Sequence, residues 1–181
     1  MNPLVYFIAV GFPLTAVWGL YSGGLSTFAF PALAFLGVPM VELFIPGLGA
    51  RKSAPGGEHR LGHDVVLINA FAMVWLGMGL MLWQATTAAL SGIEWFGLTL
   101  CAGVLYGAIG INVAHEMGHR NSKVFQTLAK LLLLPSLYMH FFIEHNRGHH
   151  RNIGTPEDPA TARRGEVVYA FWFRSVIGGW L

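Results

Sequence analysis

Four stretches of the chain, 4–21, 28–48, 65–85 and 95–113, are apolar at nearly every position. Each approaches the roughly 20 residues that a helix needs to cross the hydrocarbon core of a bilayer, and each is predicted to span a membrane. The connections between them are polar and differ in charge. "SGGLS", between the first two, is uncharged, and "TTAALSGIE", between the third and fourth, carries only Glu94. By contrast, "ARKSAPGGEHRLGHD" carries Arg51, Lys52 and Arg60, and the fourth stretch runs into Arg120 and Lys123. Lys and Arg collect in the cytoplasmic loops of membrane proteins, which places the N-terminus, the Arg51 loop and the segment after the fourth span on the cytoplasmic side. Within the second span Pro31, Pro39 and Pro46 are expected to kink the helix. Glu42, near its cytoplasmic end, either marks a functional pathway or snorkels to the interface. In the fourth span Gly103 and Gly107 make a small-xxx-small face suited to close helix packing.

Composition agrees with that pattern. Of 181 residues 54% are hydrophobic and 11% charged, and the mean hydropathy is +0.54, values of a membrane protein rather than of a soluble globular domain. Lys and Arg are absent from the first fifty residues, whose sole acid is Glu42, so the basic n-region of a secretory signal peptide is missing and the N-terminus reads as membrane-embedded chain. A single cysteine, Cys101, excludes an intrachain disulfide and a cysteine zinc site and reads as a small buried residue. A formal charge of +2 and basic residues spread over loops give no footprint for nucleic acid. The fold class is an all-α integral membrane protein, read as a single domain over 1–181.

Past the fourth span the pattern changes and histidines gather. In "NVAHEMGHR", His115 and His119 are four apart and continue the helix of the fourth span, so both imidazoles project from one face. In "EHNRGHH", His145 and His149 repeat that spacing, while His150 is turned by about 100° on a regular helix and would address a second ion. Imidazole is the commonest metal ligand and suits zinc, iron, copper and nickel alike. Five such ligands in two clusters therefore point to a metal without naming it. Glu116 and Glu144 are candidates to accept imidazole N–H bonds and fix ring orientation, though either could ligate directly. His59 and His63, in the basic loop, and His140, off the face of His145, read as ordinary side chains. Arg147 and Arg151 receive no catalytic role.

Two rivals use fewer of these residues. "HEMGH" satisfies the HExxH pattern of zinc proteases, with Glu116 as general base, but leaves the three histidines of "EHNRGHH" without a task. A non-catalytic metal-binding membrane protein would carry polar groups along its spans, where Glu42 alone qualifies. A shared site also constrains 126–142, an apolar segment interrupted by Lys130 and Pro135. Full crossing would carry His145 away from His119, so this segment is expected to begin and end on the cytoplasmic side, as an interfacial or re-entrant helix broken near Pro135.

Together "NVAHEMGHR", "HFFIEHNRGHH" and "TPEDPATARRGE" resemble the first two histidine boxes and following loop of the membrane-bound, non-haem diiron alkane 1-monooxygenases. More broadly they resemble the membrane fatty-acid desaturase and hydroxylase superfamily, including xylene monooxygenase. The similarity is dense over 112–166 and diffuse before it. It implies terminal hydroxylation of a linear alkane by O2 at two non-haem irons, with electrons from rubredoxin and its flavoprotein reductase and a hydrocarbon substrate arriving from the lipid. Carried over by position, it makes His115, His119, His145, His149 and His150 iron ligands. It also implies a third histidine box, which this sequence lacks, so the chain is expected to be an N-terminal piece with little activity alone.

Overall fold

The computed structural model describes residues 3–44 and 60–180, with side chains from residue 10 and from residue 62 onward in the two stretches. Pro46, Arg51, Lys52 and His59 lie outside the described residues. Every regular element among the described residues is helical. Helix α1 occupies Pro3–Ser22, α2 Gly24–Phe44, α3 Arg60–Thr87 and α4 Gly92–Gly118, matching the four apolar stretches in position. Three segments, Gly24–Phe44, Gly62–Thr87 and Gly92–Gly118, are long and apolar enough to cross a membrane. His63 falls inside α3 rather than in a loop. Contacts divide the chain into two compact units, Met1–Val113 and Ala114–Leu181.

In the first unit α1 lies along α3, and the opening turn of α2 folds against α4. The reversal between α1 and α2 uses Gly23 and Gly24, with φ of 69° and 56°, a region that glycine enters without a Cβ penalty. The Gln84 amide donates to Leu20 O at 3.3 Å and Tyr21 O at 3.1 Å, carbonyls at the end of α1 that lack a partner within their own helix. Leu20, Phe30, Val74, Leu98, Leu105 and Cys101 are buried between the helices. The π-helical turn Leu33–Gly37 in α2 lies just before Pro39, whose missing N–H cannot complete the α-helical ladder. The expected irregularity of the second span therefore takes the form of a widened turn.

Close helix approach occurs at Gly77 and Gly97, where an added Cβ would run into Leu105 and into Thr27 and Phe28, respectively. The glycine pair singled out in the sequence does something else. A Cβ at Gly103 or Gly107 would meet nothing within 4 Å. The face of α4 that packs on its neighbours carries Gly97, Leu98, Cys101 and Leu105, and Gly103 is rotated away from it. Gly103 lines an open apolar groove of about 460 Å³ with Phe35, Phe96, Leu100 and Val104.

The second unit starts with the last turn of α4. Helix α5, Lys123–Leu133, has 11 residues, so it extends only about 16 Å at 1.5 Å per residue, far short of the roughly 30 Å of hydrocarbon. The chain then turns through 134–140, with Leu137 at φ 54°, and re-enters a helix. The break falls at Pro135, as expected from the sequence, and 126–142 forms no spanning helix. Helix α6 begins at Phe141–Ile143, widens into a π-helical turn over Glu144–His149 and closes with His150–Asn152. A turn-rich loop leads to α7, Val168–Gly178.

Candidate metal centre

His115 and His119 sit on the final turns of α4, and His145 and His150 on α6. One ring nitrogen from each of these four lies within 4.8 Å of the other three. The Nε2 atoms of His119, His145 and His150 form a triangle with edges of 3.1, 3.3 and 3.0 Å. Three imidazole nitrogens so close cannot all satisfy one another, because each neutral ring has one donor and one acceptor nitrogen. Their spacing is that of nitrogens each roughly 2.1 Å from a shared ion, so the donor set fits a metal. Phe141 stacks on His145 with ring centroids 4.8 Å apart and meets His115 edge-on at 6.4 Å, walling one side of the cluster. Burial, then the crowding of His115, His150, His119 and His149, pushes His145 down to about 4. Its ring is therefore neutral near pH 7, the form that ligates metals.

The membership of this cluster differs from the helical-wheel expectation. A regular α-helix pairs His145 with His149. Here the π-helical turn over Glu144–His149 closes i to i+5 and brings His150 onto the face of His145, with ring centroids 4.5 Å apart. His149 turns to a different partner, and its Nδ1 lies 2.8 Å from Asp158 Oδ2. The wide turn has a steric condition at Gly148, where a Cβ would collide with the Glu144 carboxylate.

The acids divide in the same way. Glu116 is paired with Arg120 at 3.5 Å and its side chain is 49% exposed. Glu144 folds over Gly148, with Oε1 buried and lacking a hydrogen-bond partner. Asp158, which the sequence left without a role although it lies in "TPEDPA", seats a carboxylate on the His149 imidazole. Its only sequence signal was its place in that loop. Burial pushes the Asp158 carboxyl up, but hydrogen bonds from Thr161, the Ala160 N–H and His149 outweigh it and hold the group below its ordinary value. His140 packs against Trp180, with centroids 3.8 Å apart and the rings tilted by 35°, and is not one of the four clustered histidines.

The loop that carries Asp158 is fixed from outside by Arg174 of α7. Its guanidinium donates from Nε to Glu166 Oε1 at 2.7 Å and from Nη2 to Glu166 Oε2 at 2.6 Å. It also donates to the Pro159 and Thr161 carbonyls, each at 2.9 Å. Hydrogen bonds from Arg174 and the Arg163 N–H bring Glu166 down to about 2.

Residues 91–181, which hold both histidine clusters and this loop, match the fatty acid desaturase family. The chain belongs to that family. Among curated proteins it is 32% identical to an alkane 1-monooxygenase of Ectopseudomonas oleovorans over 91% of its own length and 40% of the relative's. It is 43% identical to alkane 1-monooxygenase 1 of Alcanivorax borkumensis over 53% of the chain and 24% of the relative. Identity to the xylene/toluene monooxygenase hydroxylase component of Pseudomonas putida is 25% over 98% of the chain and 48% of the relative. The chain thus spans less than half the length of these relatives. Both the family match and the similarity to alkane 1-monooxygenases agree with the resemblance drawn from the histidine boxes.

Proposed function

We propose that the whole protein is an O2-dependent monooxygenase that converts linear alkanes to 1-alkanols at a histidine-ligated diiron centre. The observation that carries this reading is the convergence of His115, His119, His145 and His150 within 4.8 Å, in a chain similar over most of its length to an alkane 1-monooxygenase. These four side chains would hold one iron. His149 would belong to the second, whose remaining ligands exceed what five histidines supply by octahedral counting. Bound iron supplies the reductive activation of O2 by which one oxygen atom enters a terminal C–H bond and the other leaves as water.

The residues around the cluster orient and shield it. Phe141 keeps the imidazoles desolvated on one side, and the four rings are presented from two helix segments rather than from mobile loops. The protein resides in the cytoplasmic membrane, with its histidines on the cytoplasmic side where Lys and Arg collect, and there it meets rubredoxin, kept reduced by its reductase. Four crossings, α1 to α4, carry a single domain. The hydrocarbon comes from the lipid phase, and the groove over Leu100 and Gly103 is apolar enough to take a chain segment. HExxH-type zinc hydrolysis is disfavoured because Glu116 is exposed and ion-paired with Arg120, whereas a general base has to face the reacting centre.

The test is metal analysis and turnover of the purified whole protein with rubredoxin, reductase and octane. Two irons per chain and 1-octanol as product are expected. Zinc at full occupancy, or no oxidation of octane, would overturn the reading. The long match to the xylene/toluene monooxygenase component supports a second reading, in which the preferred substrate is the methyl group of an aromatic hydrocarbon. Faster turnover of xylene than of octane in the same assay would favour it.

A further inference from the structure

The Asp158 side chain is fully buried, while that of His149 is 20% exposed. A carboxylate so placed needs several donors to offset its desolvation, and Asp158 has them. Oδ1 accepts the Ala160 N–H at 2.9 Å, and Oδ2 accepts the Thr161 hydroxyl and His149 Nδ1–H. The direction of each bond is fixed. Thr161 Oγ1 receives the Gly154 N–H at 2.9 Å, so its own proton is free to go to Asp158. An ionised carboxylate only accepts, so Nδ1 of His149 carries a proton, and the neutral ring that ligates a metal has its lone pair on Nε2. The chain of bonds from Gly154 to Thr161 to Asp158, with the Ala160 N–H and His149 as the other donors, therefore selects one tautomer of one imidazole. Arg174 clamps the carbonyls of Pro159 and Thr161, in the turn just after Asp158.

A loop staple would need no such selection, since any donor on α6 would serve. The selected ring is instead neighbour to the metal-type cluster, with its centroid 5.4 Å from that of His145 and 5.6 Å from that of His150. We propose that Asp158 is a positioning residue that holds the His149 ring with Nδ1 engaged and Nε2 presented as its ligand atom. This rests on the reading of the site as a metal centre. Arg174 supports it one step further out by fixing the loop on which Asp158 sits. Carboxylates that orient ligating imidazoles typically contribute 10- to 100-fold to metal affinity.

The experiment titrates the whole protein, freed of metal, with Co²⁺ and reads ligand-field absorption and affinity for wild type, D158N, D158E, H149A and D158N/H149A. The carboxamide introduced by D158N can turn an N–H toward His149 and so favours the opposite tautomer. D158N is expected to weaken Co²⁺ binding about 10- to 100-fold and to alter the spectrum, and D158E, which keeps the carboxylate, to restore much of both. The double variant is expected to bind like H149A alone, because Asp158 acts through His149. Wild-type affinity and spectrum in D158N, or a further tenfold loss in the double variant over H149A, would overturn the proposal. Absence of Co²⁺ binding in wild type would overturn the metal-centre reading itself. A measurement that does not depend on D158N folding is ¹⁵N NMR of histidine-labelled wild type, with the His149 signals assigned through H149A. An Nδ1–H tautomer is expected, and an Nε2–H tautomer sinks the idea.

Discussion

The two units of the chain hold themselves together by different means. In Met1–Val113, helices meet at small residues, with Gly77 against Leu105 and Gly97 against Thr27 and Phe28, and the Gln84 amide is a rare polar tie. In Ala114–Leu181 the helices are short, and side-chain hydrogen bonds fix the loop between them through Asp158 and Arg174. Lipid tails are as apolar as leucine, so burial of apolar area gives membrane helices little reason to associate and close packing has to do it. A metal site has the opposite demand. It requires a few polar atoms held in defined directions, which dispersion contacts do not provide.

That contrast makes predictions of graded size. The largest effect is expected from H145A, which removes a ring that contacts each of the other three histidines of the cluster. Metal content and alkane hydroxylation of the whole protein should fall by more than about 100-fold with little change in melting temperature. A large drop in melting temperature would mean that the cluster serves folding instead. Next comes G97V, whose methyl groups would be driven into Thr27 and Phe28. Overpacking of this kind costs about 1–3 kcal/mol, to be read by thermal unfolding in detergent with metal content per folded protein unchanged.

A smaller effect concerns acid. Glu166 is held near 2 by hydrogen bonds from Arg174 and the Arg163 N–H, below the roughly 4.3 of a free glutamate. Its folded pKa is depressed, so its contribution to loop stability is complete above the ordinary carboxylate value and is lost as pH falls from there towards 2. Protection of the 153–167 loop against hydrogen exchange should decline over that window, and R174Q should remove the dependence. The smallest change is expected for G103L. Its side chain enters open space, so stability should shift by less than about 0.5 kcal/mol, whereas oxidation of long alkanes should slow more than that of short ones if the groove over Leu100 takes substrate.

Much of the architecture was legible before any coordinates. Hydrophobic run length located the four long helices of the described residues, because a chain in lipid satisfies its backbone within each helix, and Pro135 marked where the next helix had to stop. The packing face of α4 was not legible in the same way. Gly103 and Gly107 have the spacing of an interface, yet the face that meets its neighbours bears Gly97 and Cys101, since small residues permit close approach without specifying which side is approached. The histidines announced themselves by type and clustering, while their partition did not follow from an ideal helix.

By itself, the sequence determined that this chain is helical and membrane-grade, and that its histidines gather in two clusters with the four-residue spacing of metal ligands. Those facts depend on local run length and residue chemistry, and they survive any rearrangement of the helices. The tertiary structure alone decided that His150, and not His149, joins His115, His119 and His145, because a π-helical turn over Glu144–His149 shifts the register by a residue. It alone gave His149 to Asp158, nine positions further on in a folded-back loop. A wheel drawn at 3.6 residues per turn contains neither fact, since both arise where the backbone leaves the regular helix and meets distant chain.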